Sequence, residues 1–268
     1  MTSAKRNRVP PLLALTLLEA RGLLETALMP TALPWLPLLP KGNGLPVLVL
    51  PGFLANDTST RLLRFWLKKL EYRAYGWEQG RNSGLKEETV ARLGEHLQSL
   101  HARHRAPVRV VGWSLGGIYA RALAHEHPEL INNVVTLGTP FRLPSSINAI
   151  DNSVARMYRM FNGDSMGELL SPVARWQYPP PVPSTAIYSR GDGVANWDFC
   201  VDKLDGKQTE NIGVPTSHVG MGGSPLVLLL LANRLHGHKE KWRPFQFKGW
   251  RRCCYGSDTG DKHPYPNP

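Results

Sequence analysis

The most restrictive feature of this sequence is an abrupt change of pattern between Val108 and Ala124, where a serine stands among glycines. Before the serine, Val108, Val110 and Val111 form a short β-branched cluster that is typical of a buried strand. After it, apolar residues recur at helical spacing, namely Leu115, Ile118, Tyr119, Ala122 and Leu123. Ser114 therefore lies where a strand changes into a helix with almost no loop between them.

A strand that turns directly into a helix brings the two elements close together. The serine at the turn is expected to have a strained backbone conformation that pushes its hydroxyl outward. A Cβ atom two residues before or after the serine would clash, and the stretch G-W-S-L-G places Gly112 and Gly116 there. Because ligands bind beyond the carboxyl ends of parallel strands, the pattern predicts a site around Ser114.

A serine hydroxyl is a weak nucleophile, so it needs a general base and a carboxylate that orients this base. Both are expected on later strand-end loops, in the order serine, acid, histidine. Asp192 follows a predicted strand in S-R-G-D-G-V, where its alternative role is to shape the glycine-rich turn. Asp198 and Asp202 are rivals for the acid, but they lie further from the strand end.

His218 is the candidate base, because it lies on the loop V-P-T-S-H-V-G-M between the last predicted strand and a helix. A purely structural role is its alternative. Other histidines fall in predicted helices or at their ends, namely His125, His127, His236 and His238. Two backbone N–H groups are expected to bind the oxyanion of the tetrahedral intermediate. They are those of Leu115, beside the nucleophile, and of Phe53, after Gly52 in L-P-G-F-L-A.

Strands and helices alternate along the chain, which predicts an α/β fold with a mostly parallel sheet of about six strands covered on both faces. The predicted strands are Val47–Leu50, Tyr72–Trp77, Val108–Val111, Val134–Leu137, Ala186–Tyr188 and Thr209–Ile212, and the predicted helices are Thr58–Leu70, Glu87–His101, Leu115–His125 and Pro225–Leu235. Residues 46–140 and 184–238 form the predicted core, and the long insertion 141–183 is interpreted as a helical cap or lid. Residues 239–268 form a basic C-terminal tail.

Residues 1–45 are predicted to form an amphipathic helix and a proline-rich connector. One helical face carries the apolar residues Leu13, Leu17, Ala20, Leu24 and Leu28. Glu19, Arg21 and Glu25 interrupt the apolar run, which is therefore too short to span a bilayer. Packing on the domain is the favoured use of this helix, and lying on a membrane surface is the alternative.

The chain of 268 residues has a net charge of +11. This charge indicates a solvated basic surface or, alternatively, attraction to anionic lipid headgroups, whereas nucleic acid is not expected because no binding motif accompanies it. Three cysteines without zinc-type spacing argue against a disulfide framework. A reducing compartment such as the cytoplasm is favoured, and secretion stays open.

Together these motifs resemble those of the α/β-hydrolase superfamily, specifically its lipase and esterase-like branch, over about residues 46–235. The resemblance rests on PGF at Pro51–Phe53, GWSLGG at Gly112–Gly117, LGTP at Leu137–Pro140, DGV at Asp192–Val194 and SH at Ser217–His218. Three departures stand out. Pro51 replaces a histidine common among relatives, Phe141 follows LGTP where lipases often have histidine, and no antiparallel strands are evident before Val47.

The resemblance implies that Ser114 is the nucleophile, Asp192 the acid and His218 the base. The expected reaction is cleavage of a carboxylic ester with a hydrophobic acyl chain through an acyl-enzyme. No metal or organic cofactor is implied. Two alternatives are an acyltransferase that uses the same residues and a non-catalytic membrane-associated protein that has kept the fold.

Overall fold

The computed structural model describes residues 12–142, 175–204, 206, 208–237 and 239–257. Most of the predicted cap, residues 143–174, lies outside the described residues, so the cap remains a prediction. Residues 1–11 and 258–268 lie outside them as well.

Six helices and seven strands make up the described part of the chain. The helices are α1 (Leu12–Ala27), α2 (Arg61–Lys69), α3 (Glu87–His104), α4 (Leu115–Glu126), α5 (Pro225–His236) and α6 (Arg251–Cys254). The strands are β1 (Pro46–Leu50), β2 (Arg73–Tyr75), β3 (Val108–Trp113), β4 (Ile131–Leu137), β5 (Ser184–Tyr188), β6 (Thr209–Gly213) and β7 (Gly256–Ser257). Short 3₁₀ segments occur at Met29–Leu38, Trp197–Cys200, Val219–Gly222 and Lys239–Lys241.

All seven strands form one sheet in the order β2-β1-β3-β4-β5-β6-β7. The first six strands pair in parallel, and β7 is antiparallel to β6. The mostly parallel sheet of about six strands is therefore confirmed. Strand β4 begins at Ile131, earlier than predicted, because buried Asn132 and Asn133 donate side-chain hydrogen bonds to the carbonyls of Gly237 and Arg234 (both 2.9 Å).

Successive residues of each central strand enter different apolar clusters, one on each face of the sheet. Val49 and Val111 pack on one face with residues of α2 and α5. Leu48 and Val110 pack on the other face with residues of α3 and α4. Burial on both faces explains why the strands are almost continuously apolar, and it confirms helices on both sides of the sheet.

The part of the predicted C-terminal tail up to residue 257 packs against this body. Phe245 and Tyr255 are buried, and their rings meet edge to face at 5.4 Å. The Tyr255 hydroxyl donates to the carbonyl of Leu226 (3.0 Å). Strand β7 was not predicted, since two residues are too few to show an alternating pattern.

Helix α1 packs on the domain with its charged face inward. Leu24 and Leu28 of the predicted apolar face are exposed, whereas Glu19, Arg21 and Glu25 contact loops at the carboxyl end of the sheet. The charged face is preferred inside because those loops present backbone N–H and carbonyl groups that need partners. Within the described residues, no helix is both long and apolar enough to cross a membrane.

Candidate active site

Ser114 lies between β3 and α4 with a left-handed backbone conformation (φ 53°, ψ −123°), which is unusual for a residue with a side chain. Its N–H donates to the carbonyl of Leu137 on β4 (2.8 Å). A Cβ atom at Gly112 would overlap the backbone of Gly116, and one at Gly116 would overlap the backbone of Leu50. Both glycines are therefore required by the close approach of strand and helix, and the strain is consistent with a nucleophile turn.

The turn after β1 lies beside this serine, because β1 is the parallel neighbour of β3. A Cβ atom at Gly52 would lie 3.2 Å from the Cβ and 3.8 Å from the Oγ of Ser114. Phe53 follows directly and packs against the core. Leu115 is the first residue of α4. The two predicted oxyanion donors thus belong to segments on either side of the serine.

Asp192 and His218 form a buried hydrogen-bonded pair at the carboxyl end of the sheet. The Oδ2 of Asp192 lies 2.7 Å from the Nδ1 of His218, and their side chains are 1% and 8% exposed. The other carboxylate oxygen, Oδ1, accepts from the N–H groups of Val194 (2.8 Å) and Ala195 (2.7 Å). Asp192 therefore both shapes its turn and holds the histidine, so the two roles considered for it coexist.

The pKa of His218 reflects opposing influences. Burial of the ring disfavours the imidazolium, but the charge and hydrogen bond of Asp192, with a smaller contribution from Glu19, outweigh the burial. The pKa of His218 is therefore raised above its ordinary value. A raised pKa makes this imidazole a better proton acceptor than a free one, provided that it is neutral before the reaction begins.

The histidine is held next to the serine turn by Trp113, the residue before Ser114. The indole Nε1 of Trp113 donates to the carbonyl of His218 (3.1 Å), and the two rings lie 6.5 Å apart. Among the described residues, no hydrogen bond joins Ser114 to His218. Catalytic hydrogen bonds are often long before substrate binds, and they tighten in the complex.

The rival residues are engaged elsewhere. The carboxylate of Asp198 lies near Lys203 (2.6 Å) and Arg142 (3.8 Å) and is more than a third exposed. Asp202 is buried against Arg121 on α4 (2.9 Å). The structure thus brings Asp192, and neither rival, to the histidine.

The rival histidines also have other partners. His125 lies 3.1 Å from the carbonyl of Tyr178, and His236 lies 3.0 Å from that of Lys41. His127 packs close to Gly94 of α3. His238 lies outside the described residues.

Sequence reasoning missed the charged residues of α1, which contact both loops that carry the candidate acid and base. We call residues 189–195 the acid loop and residues 214–219 the base loop. Glu19 accepts hydrogen bonds from the N–H groups of Gly193 (2.8 Å) and His218 (3.1 Å). The signal in the sequence is the presence of three charged residues within a largely apolar helix, a pattern that by itself indicates only an interrupted apolar run.

Within the described part of the chain, no group of three or more histidine, cysteine, aspartate or glutamate residues is arranged to hold a metal ion. The groups that lie at this site are the hydroxyl of Ser114, the side chains of Asp192 and His218, and backbone N–H groups.

Comparisons with known proteins agree with this architecture. A family profile that describes the α/β hydrolase fold matches residues 100–166, which include β3, the serine turn and α4. Similar solved structures include one of the metagenome-derived lipolytic enzymes LipS and LipT, with 17% identity over 75% of this chain and 96% of that chain and a TM-score of 0.57. Aspergillus fumigatus lipase B has 15% identity over 74% of this chain and 54% of its own, with a TM-score of 0.54. The pyrethroid hydrolase PytH has 15% identity over 72% of this chain and 96% of its own, with a TM-score of 0.50.

The comparison with curated protein sequences finds no match. The chain has the α/β-hydrolase fold, and its resemblance to the α/β-hydrolase superfamily is confirmed. At these sequence identities, likeness to the solved structures establishes the fold alone.

Proposed function

We propose that this protein is a serine hydrolase that cleaves carboxylic esters with a hydrophobic acyl chain. The observation that carries the proposal is the buried Asp192–His218 pair (2.7 Å) next to a serine with a left-handed backbone. Buried, strained and charged groups rarely converge in one place without a function. The lipolytic enzymes of the same fold are consistent with this chemistry.

In the proposed reaction, Ser114 Oγ attacks the ester carbonyl carbon and its proton passes to Nε2 of His218. Asp192 on Nδ1 keeps Nε2 available as the acceptor and stabilises the imidazolium that forms. The N–H groups of Phe53 and Leu115 donate to the oxyanion of the tetrahedral intermediate.

Collapse of this intermediate breaks the ester bond, and His218 gives its proton to the departing alcohol. A water molecule then attacks the acyl-enzyme while His218 takes one of its protons. Loss of the acid product returns the proton to Ser114. This cycle uses no redox step.

Exposed apolar side chains near the candidate residues support a hydrophobic substrate. Leu54 follows Phe53 and is 53% exposed, and Val219 follows His218 and is 45% exposed. Val194, two residues after Asp192, is 41% exposed. An acyl chain that covers such side chains gains roughly 25 cal/mol for each Å² of apolar surface removed from water.

The proposal is tested with a series of p-nitrophenyl esters of increasing acyl length and with a fluorophosphonate probe. We expect hydrolysis and covalent labelling of Ser114, and loss of both in Ser114→Ala, with kcat falling roughly 10⁵- to 10⁶-fold. Ser83→Ala, at an exposed serine, is the matched control. Label on another residue, or full activity of Ser114→Ala, would overturn the assignment, and product analysis with added alcohol separates hydrolysis from acyl transfer.

We also propose that α1 and the following 3₁₀ segment lie on an anionic membrane surface. Six exposed apolar side chains follow one another along this part of the chain: Leu23 (76%), Leu24 (70%), Leu28 (55%), Leu33 (50%), Trp35 (58%) and Leu38 (75%). An exposed apolar surface of this extent marks an interaction site. No acidic residue occurs between Glu25 and Asp57, and the net charge of +11 favours anionic lipid.

Sedimentation with phospholipid vesicles tests this surface. We expect binding to phosphatidylglycerol-containing vesicles, weaker binding to phosphatidylcholine, and loss of binding in the double variant Leu24→Ser, Trp35→Ser. Phe65→Ser removes an exposed aromatic ring from α2 and is the control. Equal binding of the double variant and the control would contradict the proposal.

A further inference from the structure

Helix α1 joins the acid loop to the base loop through a single carboxylate. Oε1 of Glu19 accepts from Gly193 N (2.8 Å) and from His218 N (3.1 Å), and Oε2 accepts from Val219 N (2.8 Å). The first of these N–H groups belongs to the residue after Asp192, and the second belongs to the candidate base itself. Glu19 is therefore bonded to the backbone on both sides of the Asp192–His218 contact.

Two further charged residues of the same helix reinforce the connection. Arg21 donates to the carbonyls of Gly191 in the acid loop and Thr216 in the base loop (both 2.9 Å). Glu25 accepts from the N–H and hydroxyl of Ser217 and from the hydroxyl of Thr216. Arg21 and Glu25 also form an ion pair with each other (3.1 Å).

The helix backbone approaches the base loop closely at Gly22. A Cβ atom there would lie 2.9 Å from Ser217 Oγ in the base loop and 2.9 Å from the N of Gly220, the residue directly after that loop. A helix that merely covered a core would turn its apolar face inward. Here Leu23 and Leu24 face solvent, and the inward face carries groups that bind the backbone of the two loops.

We propose that Glu19 is a positioning residue of the active site: it fixes the acid and base loops relative to each other, and its charge stabilises the His218 imidazolium. The inference rests on the proposed ester hydrolysis. During that reaction His218 becomes positively charged, and a fixed negative charge nearby stabilises this state more than the neutral one.

The charged groups around His218 support this role. Asp192 faces the ring from the acid loop, and Glu19 faces the residue from α1. Arg21 and Glu25 contact the base loop and carry opposite charges. Both Asp192 and Glu19 raise the pKa of His218, and burial opposes them.

The test is the variant Glu19→Gln, which preserves the size of the side chain and removes its charge. We expect kcat toward a short soluble ester to fall about tenfold to 100-fold. KM should change little, because Glu19 does not touch substrate in the proposed site. The acidic limb of the pH–rate profile should move to lower pH, since the pKa of His218 falls. Glu95→Gln, at an exposed position on α3, removes the same charge elsewhere and should leave kcat and the limb unchanged.

A purely structural role for Glu19 predicts a different result, namely a loss of thermal stability with an unchanged pH limb. That outcome would overturn the proposal. If Glu19→Gln does not fold, Glu19→Asp is used, which keeps the charge but shortens the side chain by one methylene. Its kcat and the pH of its acidic limb should both be lower than in the wild type, but by less than is expected for Glu19→Gln. Wild-type values for both would contradict the inference.

Titration of the His218 ring by NMR separates this inference from the proposed function, because it needs no turnover. The resonance is assigned with His218→Gln. We expect His218 to titrate at lower pH in Glu19→Gln than in the wild type. Equal titration would refute the role of Glu19 even in an active hydrolase, whereas a wild type without esterase activity would refute the hydrolase proposal alone.

Discussion

Two aspartates with buried side chains, Asp192 and Asp202, have different partners. Their comparison shows how an aspartate paired with histidine differs from one paired with arginine. Asp192 meets a histidine at 2.7 Å, and Asp202 meets Arg121 through both carboxylate oxygens at 2.9 and 3.1 Å. Both aspartate side chains are almost fully buried. The difference therefore lies in the basic side chain that each aspartate meets and in the other groups that this side chain binds.

Arg121 has all its nitrogens occupied. Besides Asp202, it donates to the carbonyl oxygens of Trp176 (2.7 Å) and Gln177 (3.1 Å), and its guanidinium stacks 3.8 Å from the ring of Phe141. Phe141 and Trp176 both belong to the predicted cap, one before and one after residues 143–174, so Arg121 connects the two described segments of that insertion.

His218, in contrast, has one ring nitrogen, Nδ1, hydrogen-bonded to Asp192. Its backbone N–H donates to Glu19, and its carbonyl accepts from Trp113. Arginine stays charged at every relevant pH, whereas histidine changes charge near neutrality. A fully bonded arginine fixes structure. A histidine with one committed nitrogen can move a proton.

The largest expected effect among the tests of this contrast is the loss of kcat in the variant Asp192→Asn. We expect the fold to be kept and kcat to fall about 10⁴-fold, because an amide on Nδ1 favours the wrong tautomer of His218. Ester hydrolysis and thermal unfolding are measured together. Asp198→Asn, at the more exposed rival, should have a mild effect, and the reverse ranking would show that the acid had been assigned wrongly.

Asp202→Asn should act on stability and not on chemistry. Removing one partner of a buried ion pair leaves the arginine charge uncompensated, and we expect the free energy of unfolding to fall by about 3 kcal/mol. Urea denaturation measures this change, and kcat per folded molecule should stay within a few-fold of wild type. If Asp202→Asn lost kcat 10⁴-fold at unchanged stability, the proposed difference between the two pairs would be wrong.

The smallest expected effect is on the pH dependence. Because the pKa of His218 is raised, kcat/KM should reach half of its plateau at a pH above the ordinary value for histidine. Below that pH the imidazolium cannot accept the serine proton. The residual activity of Asp192→Asn should show the acidic limb of the profile at lower pH. Burial of the ring lowers the pKa of His218, and without Asp192 its carboxylate no longer opposes this effect.

Asp202→Asn provides the control for this profile. The acidic limb of its pH–rate profile should coincide with that of the wild type, because Asp202 pairs with Arg121 and not with His218. A limb below the ordinary histidine value in the wild type would contradict the stabilisation of the imidazolium by Asp192.

Much of the fold follows from local patterns. The strand–helix turn at Ser114 was predictable because its glycines lie two residues on either side, where a Cβ atom would clash with the backbone. Strands buried on both faces leave short apolar runs, which made β1 and the apolar parts of β3, β4 and β5 recognisable. Asn132 and Asn133 were not predicted to belong to β4 because they are polar. Their side chains can be buried in the strand because they donate to carbonyls about 100 residues away along the chain.

The sequence by itself determined the parallel sheet, the serine turn and the order of Ser114, Asp192 and His218. Each depends on spacings of a few residues or on the succession of strand ends. Only the tertiary structure decided that Asp192 meets His218 while Asp202 meets Arg121, and that α1 turns its charges inward. Those choices depend on contacts between residues 26 to about 200 positions apart, such as Asp192 with His218 and Glu19 with Val219. Contacts at such separations leave no periodic trace in the sequence, because folding alone brings the two partners together.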